Sequence, residues 1–452
     1  MRRVRRFPRL IGAFSRTCGL PDRNVGHEPR PWTRTRAQRG LARSHGGVIR
    51  IITSQPLPTV EQFALGGRKL AQRVPSGVWV PLAIFAATRA FDFVVMLIAS
   101  KDLPGGYLGA ITNWDGEWYR RIAVEGYQLP SGAQANFDGS WAWAFLPTFP
   151  MAARGIMWLT GMSFGVSASV VNLAAGAAAM VVMYKLLERQ GGRFLATSGV
   201  ALASTFITAP LFQAAYSEAL GLLLVCLALL MIGSRRYGLA LIATVLLSLT
   251  RLITPALGVV VAVHLVHRLR HRREDPLSAA EKGWFLAMGL ASIGGLWLWS
   301  SFVELRVGPG TGASARTQAL ADHPVLGWFS GMQDLLGWPG TAFMLIISSA
   351  LILCSVAPSV TGTWGLEVRT WLCCYPIFIF AATPVTTGVL RYLLIAFPLP
   401  LLVVAGRPTR GFPWGRTSTL LATCLIGLFL QVFWISHSLT VDARPGIFYM
   451  MP

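Results

Sequence analysis

The stretch Asn113-Trp114-Asp115-Gly116-Glu117-Trp118-Tyr119-Arg120-Arg121-Ile122-Ala123, continued by Val124-Glu125-Gly126-Tyr127, packs five charges and four aromatic rings into a chain otherwise poor in charge. It follows the first long apolar run, so a polar loop is held against the mouth of an apolar bundle. There a membrane protein keeps a carboxylate wet and ionised beside a site that grips a lipid head group. Asp115 is the candidate general base: a carboxylate at this place takes the proton of a sugar hydroxyl as that oxygen attacks an anomeric carbon. The pattern of Trp118, Tyr119, Ile122 and Ala123 predicts an amphipathic segment that pins Asp115 at the membrane surface. Glu117, Glu125 and Asp138 share the loop, and a merely solvated loop is the alternative for all of these acids. The Asp-Gly-Glu spacing also imitates an acidic metal motif. Two carboxylates supply few of the roughly six oxygens Mg²⁺ takes, so no metal is expected.

Two arginines stand inside or at the edges of apolar segments, in Leu249-Thr250-Arg251 and Leu390-Arg391-Tyr392. A guanidinium fork grips a phosphate at two points, so either could hold a lipid phosphate, and snorkelling to the interface is the alternative. Glu218, at the outer end of an apolar run, is either a second acid of the site or a helix N-terminal acid that favours the dipole. Arg89 and Asp92 lie three apart in the first run and share a helical face. They form a structural ion pair or serve near a lipid phosphate. His264, His267 and His271 also share one face, but they run into a basic loop without a carboxylate cage and read as interfacial. Five of the six cysteines (Cys226, Cys354, Cys373, Cys374, Cys424) fall in apolar segments, and no disulfide or metal framework is visible. No Walker loop, Ser/His/Asp set or paired CxxC appears, and no cofactor is expected.

The elements that position these residues follow from composition. The chain is 53% hydrophobic and 13% charged, against about 25% charged in average soluble proteins. It reads as an all-α integral membrane protein, because the apolar runs recur near the roughly 20 residues of a membrane-crossing helix. They do not alternate apolar with polar, which excludes a β-barrel. Spans are expected near 79–100, 166–187, 194–213, 217–233, two within 238–266, then 283–303, 341–360, 368–385, 389–406 and 417–437. A short interfacial helix is expected at about 147–160, where Trp141-Ala142-Trp143 and two prolines oppose a straight span. The total is about eleven transmembrane helices.

The formal charge of +21 is concentrated: residues 1–75 hold 16 of the 40 Lys and Arg against Asp22, Glu28 and Glu61, a net +13. The positive-inside bias places this tail in the cytoplasm, where it meets anionic membrane lipids, and its lack of periodicity predicts disorder. Neither aromatic interleaving nor a recognisable module accompanies the arginines, so nucleic acid is not an expected partner. No cleavable signal peptide is expected, because the first long apolar segment begins near Val78. The domains are then a basic tail over 1–75, a polytopic body over 76–440, and a short extracytoplasmic tail over 441–452. The first loop, carrying the active site, is extracytoplasmic.

Several blocks together resemble a known family. They are Trp114-Asp115-Gly116-Glu117-Trp118-Tyr119 with Ile122-Ala123 and Gly126-Tyr127, and Ala144-Phe145-Leu146-Pro147-Thr148-Phe149-Pro150. Ala215-Tyr216-Ser217-Glu218-Ala219, Thr250-Arg251, and Arg391-Tyr392-Leu393-Leu394 with Phe397-Pro398 follow in order. Over residues 80 to 405 the chain resembles the PIG-V-type (GPI mannosyltransferase 2-like) mannosyltransferases of the GT-C superfamily. The resemblance implies transfer of mannose from a polyprenyl-phosphate sugar to a glycolipid, other lipid-linked or protein acceptor outside the cytoplasm, with inversion. Asp115 would be the base, and Trp114, Glu117, Tyr119, Glu218, Arg251, Arg391 and Tyr392 would bind substrate. The long basic tail is no part of the family pattern.

The main rival is a polytopic transporter or flippase of a lipid-linked or amphipathic substrate. A transporter concentrates polar residues at mid-membrane, whereas the richest polar cluster here lies in the aromatic-rich outer loop, which favours chemistry on a lipid head group.

Overall fold

Apolar runs in this chain fold as helices whose ends fall at glycines, prolines and charges. The computed structural model describes residues 76–128, 141–308, 327–405 and 413–441. The basic stretch 1–75, Asp138 and residues 442–452 lie outside the described residues. Among the described residues every regular element is helical. The first are α1 (Ser76–Ala99), α2 (Gly106–Ile111), α3 (Asp115–Glu125), α4 (Thr148–Thr160) and α5 (Phe164–Ser204). Next come α6 (Glu218–Gly233), α7 (Tyr237–Ser248), α8 (Thr254–Arg270), α9 (Ala279–Val307) and α10 (Gly327–Leu336). The last are α11 (Trp338–Val356), α12 (Pro358–Thr361), α13 (Leu366–Ala382), α14 (Val389–Leu393) and α15 (Pro413–Trp434).

Five stretches, Gly77–Ala99, Phe164–Ser204, Ala279–Val307, Trp338–Val356 and Gly415–Leu439, are long and apolar enough to cross a membrane, and the chain is a multi-pass membrane protein. The helices α6 and α7 are apolar but only 16 and 12 residues long. The two spans expected at 166–187 and 194–213 both fall on α5, divided at Gly192, whose φ of 77° leaves the helical region and suits only a residue without a Cβ; the second ends early, at Ser204, and a 3-10 turn follows at Ala209–Phe212. The span expected at 389–406 is not one helix. Five residues of α14 are followed by Phe397-Pro398-Leu399-Pro400 and a 3-10 turn at Pro400–Val404. Two prolines within three residues remove backbone donors and disfavour the helical conformation of the residues before them.

The core gathers α1, α5, α6, α8 and α13 around large buried side chains, among them Tyr184, Phe212, Trp371, Tyr375 and Phe397. Within it, the alternatives for Arg89 resolve. Both Arg89 and Asp92 are buried and paired at 2.5 Å. The guanidinium also donates to the carbonyls of Ala209 and Ser204 at 2.6 and 2.8 Å. Arg89 therefore ties α1 to the C-terminal end of α5, a structural use that leaves it committed to protein groups.

The first loop departs from expectation in one respect. Tyr119, Ile122 and Ala123 of α3 turn inward, not toward a membrane surface, and are 6%, 0% and 1% exposed. They pack with Phe145, Phe149, Ala153 of α4 and Ala215. Apolar spacing predicts a covered face, and here the block Ala144–Pro150 and α4 cover it. The helix α4 matches the bounds of the short helix expected at about 147–160, with Trp158 and Leu159 exposed at its end.

Candidate active site

Asp115 is the first residue of α3, and the chain enters that helix through Trp114 at φ 57°, a positive value for a bulky residue. Neighbours hold it there. Asn113 Oδ1 accepts the Trp114 backbone N–H at 2.9 Å, and the Trp114 indole donates to the Ser438 carbonyl at 2.9 Å. Asn113 Nδ2 donates to the carbonyls of Leu439 and Val441. Beyond the turn, Gly116 lies against Ala215, where an added Cβ would meet the Ala215 Cβ at 3.4 Å. The strained entry fixes where the Asp115 side chain begins.

The Asp115 carboxylate is 28% exposed and meets Arg391 of α14, with Nη1 2.6 Å from Oδ2. Arg391 Nη2 donates to the Tyr392 hydroxyl at 3.2 Å, and Arg391 Nε lies 3.6 Å from Glu218 Oε1. Glu218 opens α6 and is 1% exposed; its Oε1 is 2.8 Å from Arg251 Nη1. That contact is an ion pair rather than an aligned hydrogen bond, and among the described residues neither Glu218 oxygen has an aligned donor. The four charges thus run Asp115, Arg391, Glu218, Arg251, alternating in sign. The Tyr392 ring lies 5.0 Å from the Arg391 guanidinium and 5.3 Å from that of Arg251, within cation–π range of both.

These groups face a cleft of about 210 Å³ lined by Asp115, Tyr119, Ser217, Arg251, Arg391 and Tyr392 on its polar part. Leu146, Leu252, Ile253, Phe378, Ile379 and Pro384 supply its apolar part. Tyr119 is buried against Phe145 and Phe149, and burial, helped by the charges of Asp115 and Glu218, pushes its pKa up to about 12. It remains a neutral phenol at physiological pH. A cleft with one carboxylate, two guanidinium groups and an apolar wall can hold an amphipathic anion and accept a proton beside it.

Of the residues singled out by sequence, Asp115, Tyr119, Arg251, Arg391 and Tyr392 come together on the cleft, with Glu218 buried against both arginines. Two do not join them. The Glu117 side chain is 71% exposed and lies 3.8 Å from Arg120, as its offset of two from Asp115 on a helix requires. The Trp114 indole is turned to Ser438, where it anchors the loop. Ser217 and Thr250 line the cleft inside blocks already quoted, but nothing in the sequence separates their use from their neighbours'. The wall from Phe378 to Pro384 had no sequence signal.

The histidines also differ from expectation. His264 is buried, with Nδ1 2.7 Å from Glu367 Oε1 and Nε2 3.2 Å from the Tyr237 hydroxyl. The His267 and His271 rings lie 4.5 Å apart on the exposed side of α8. Among the described residues no group of three or more His, Cys, Asp or Glu gathers as a metal-holding set.

No family model matches the sequence, and no curated protein matches it. Among solved structures the fold is similar to the oligosaccharyltransferase of Archaeoglobus fulgidus, crystallised with Zn and sulfate, at 12% identity and a TM-score of 0.39. The match covers 78% of this chain and 53% of that one, so the chain spans about half the length of the structure it matches.

Proposed function

We propose that this protein is a GT-C-type membrane mannosyltransferase that uses a polyprenyl-phosphate-mannose donor and a lipid-linked or protein acceptor. The cleft opens to the extracytoplasmic side, with the amino terminus in the cytoplasm. The acceptor hydroxyl oxygen attacks the anomeric carbon, the bond from that carbon to the phosphate oxygen breaks, and its electron pair leaves with the lipid phosphate. The hydroxyl proton passes to Asp115, and attack opposite the leaving phosphate inverts the centre. Arg391 and Arg251 face the growing charge on the phosphate, with the fork geometry suited to it. The donor lipid supplies the leaving group, so no nucleotide is needed.

One observation supports this most: residues 115, 251 and 391, far apart in sequence, deliver a carboxylate and two guanidinium groups to a single cleft with an apolar wall. The test uses the purified full chain in lipid vesicles with polyprenyl-phosphate mannose labelled in the sugar. Transfer of label to a lipid-linked or peptide acceptor, lost in Asp115→Asn, is the expected result. Movement of the donor across the bilayer without transfer would replace the enzyme with a flippase.

A further inference from the structure

Tyr119 and Ser217 both line the cleft, are 6% and 4% exposed, and meet with their hydroxyl oxygens 3.2 Å apart. Between them they carry two O–H protons but share one hydrogen bond. Ser217 Oγ also accepts from Arg251 Nη1 at 3.1 Å. If Tyr119 donates, both acceptor positions of Ser217 are filled and the serine proton needs an acceptor elsewhere; if Ser217 donates, the same holds for the tyrosine proton. Among the described residues neither hydroxyl finds that further acceptor. One proton of the pair is therefore left over on the cleft, whichever way the shared one points.

Two further observations show that this arrangement is held in place. Ser217 occupies the position before α6 where a serine ordinarily caps the helix, yet its side chain makes no capping bond. It is turned instead to Tyr119 and Arg251. The Tyr119 ring is fixed edge-on between Phe145 and Phe149, with centroids 5.1 and 4.9 Å away.

We infer that the Tyr119 and Ser217 hydroxyl pair is a phosphate ligand, donating its leftover proton to a non-bridging oxygen of the polyprenyl-phosphate donor. Arg251 touches Ser217 Oγ, so an anionic oxygen gripped by Arg251 lies within reach of that proton. A sugar hydroxyl would suit the place less well, because it brings a proton of its own to a wall already rich in donors. The inference rests on the transferase reading for the identity of the lipid, and not for the phosphate.

The experiment measures binding of polyprenyl phosphate without sugar, together with the donor KM in transfer, for the full chain and for Ser217→Ala, Tyr119→Phe, the double variant and Ser217→Thr. A lost hydrogen bond to a charged oxygen weakens affinity by about 10-fold or more, and the double variant, which keeps neither proton, should do so. Each single variant keeps one O–H and loses the hydroxyl that could have accepted it, so a donor remains and each should bind polyprenyl phosphate more tightly than the double variant. Ser217→Thr, which keeps the O–H, should bind much as the unsubstituted chain does, and Ser217→Ala should lose some thermal stability, because Arg251 Nη1 and Tyr119 lose a buried partner. Polyprenyl-phosphate binding within twofold of the unsubstituted chain in a folded double-variant protein would overturn the inference. So would a raised donor KM with unchanged polyprenyl-phosphate binding, which would move the contact to the sugar. If the unsubstituted chain transfers nothing yet binds polyprenyl phosphate in a way that the double variant loses, the inference stands and the transferase reading falls.

Discussion

Arg391 Nη1 and Asp115 Oδ2 are 2.6 Å apart, joining two residues separated by 276 positions in the sequence. The pair closes a charge ladder that continues through Glu218 to Arg251. A guanidinium in this place orients the carboxylate, and it is also the group a donor phosphate would take. Under the proposed function, donor binding and exposure of the base would be coupled through this one side chain, and substitutions at either end test that.

Asp115→Asn should abolish transfer while leaving expression and binding of polyprenyl phosphate near normal. A positioned general base is typically worth about 10²- to 10⁴-fold in rate. Glu117→Gln should cost little, because that side chain is 71% exposed and paired with Arg120 at the surface. Single-turnover transfer of labelled mannose decides between them. Turnover lost in Glu117→Gln and kept in Asp115→Asn would move the base by two residues.

Arg391→Lys keeps the charge but cannot make the Asp115 and Tyr392 contacts with one fork. The donor KM should rise about 10-fold or more, in line with the loss of one charge-assisted hydrogen bond. Lysine is the informative substitution. Alanine would strand Glu218 and Asp115 beside the remaining arginine, and breaking a buried ion pair costs about 3–5 kcal/mol of stability. An unchanged donor KM in a folded Arg391→Lys protein would return Arg391 to a structural part.

How much of this was legible in the sequence depended on the signal. Charge in an apolar setting marked Arg251 and Arg391, a dense cluster of charges and aromatics marked Asp115, and a place at the end of an apolar run marked Glu218; these charges turn out to be one another's partners. Apolar spacing marked the covered face of α3 but could not say what covers it, so Tyr119 was expected at the membrane surface and is instead in the protein core. Run length alone predicted a span over 389–406, and Pro398 and Pro400, visible in the sequence, outweighed it. Glu117 stood out by composition and fell away by geometry: two residues along a helix is the opposite side. Ser217 stayed hidden, since a serine before a helix reads as a cap until its side chain is seen turned elsewhere.

Orientation in the membrane is testable at Asp102, whose side chain is 88% exposed in the segment between α1 and α2. A cysteine placed there should react with an impermeant maleimide in intact cells, over the background of the native cysteines. The expectation follows from the net +13 of residues 1–75 and the positive-inside bias. Labelling seen only after the membrane is opened would invert the chain and put the cleft in the cytoplasm.

Glu218 separates two accounts of the charge ladder. It is 1% exposed and lies between both arginines, so its carboxylate offsets positive charge that would otherwise fall wholly on Asp115 and on a bound phosphate. Glu218→Gln preserves shape and removes that offset. Polyprenyl phosphate should then bind as tightly as before or more tightly, because two guanidinium groups meet one fewer anion. The turnover number should fall, because Arg391 is drawn harder to Asp115 and the product phosphate leaves more slowly. Thermal stability should also fall, since removing one member of a buried ionic cluster leaves the others less compensated. If Glu218 instead contacts the sugar directly, Glu218→Gln will weaken the mannosylated donor and leave polyprenyl phosphate unaffected. Comparing the two ligands in one binding assay therefore tells a residue that positions the arginines from one that touches the substrate.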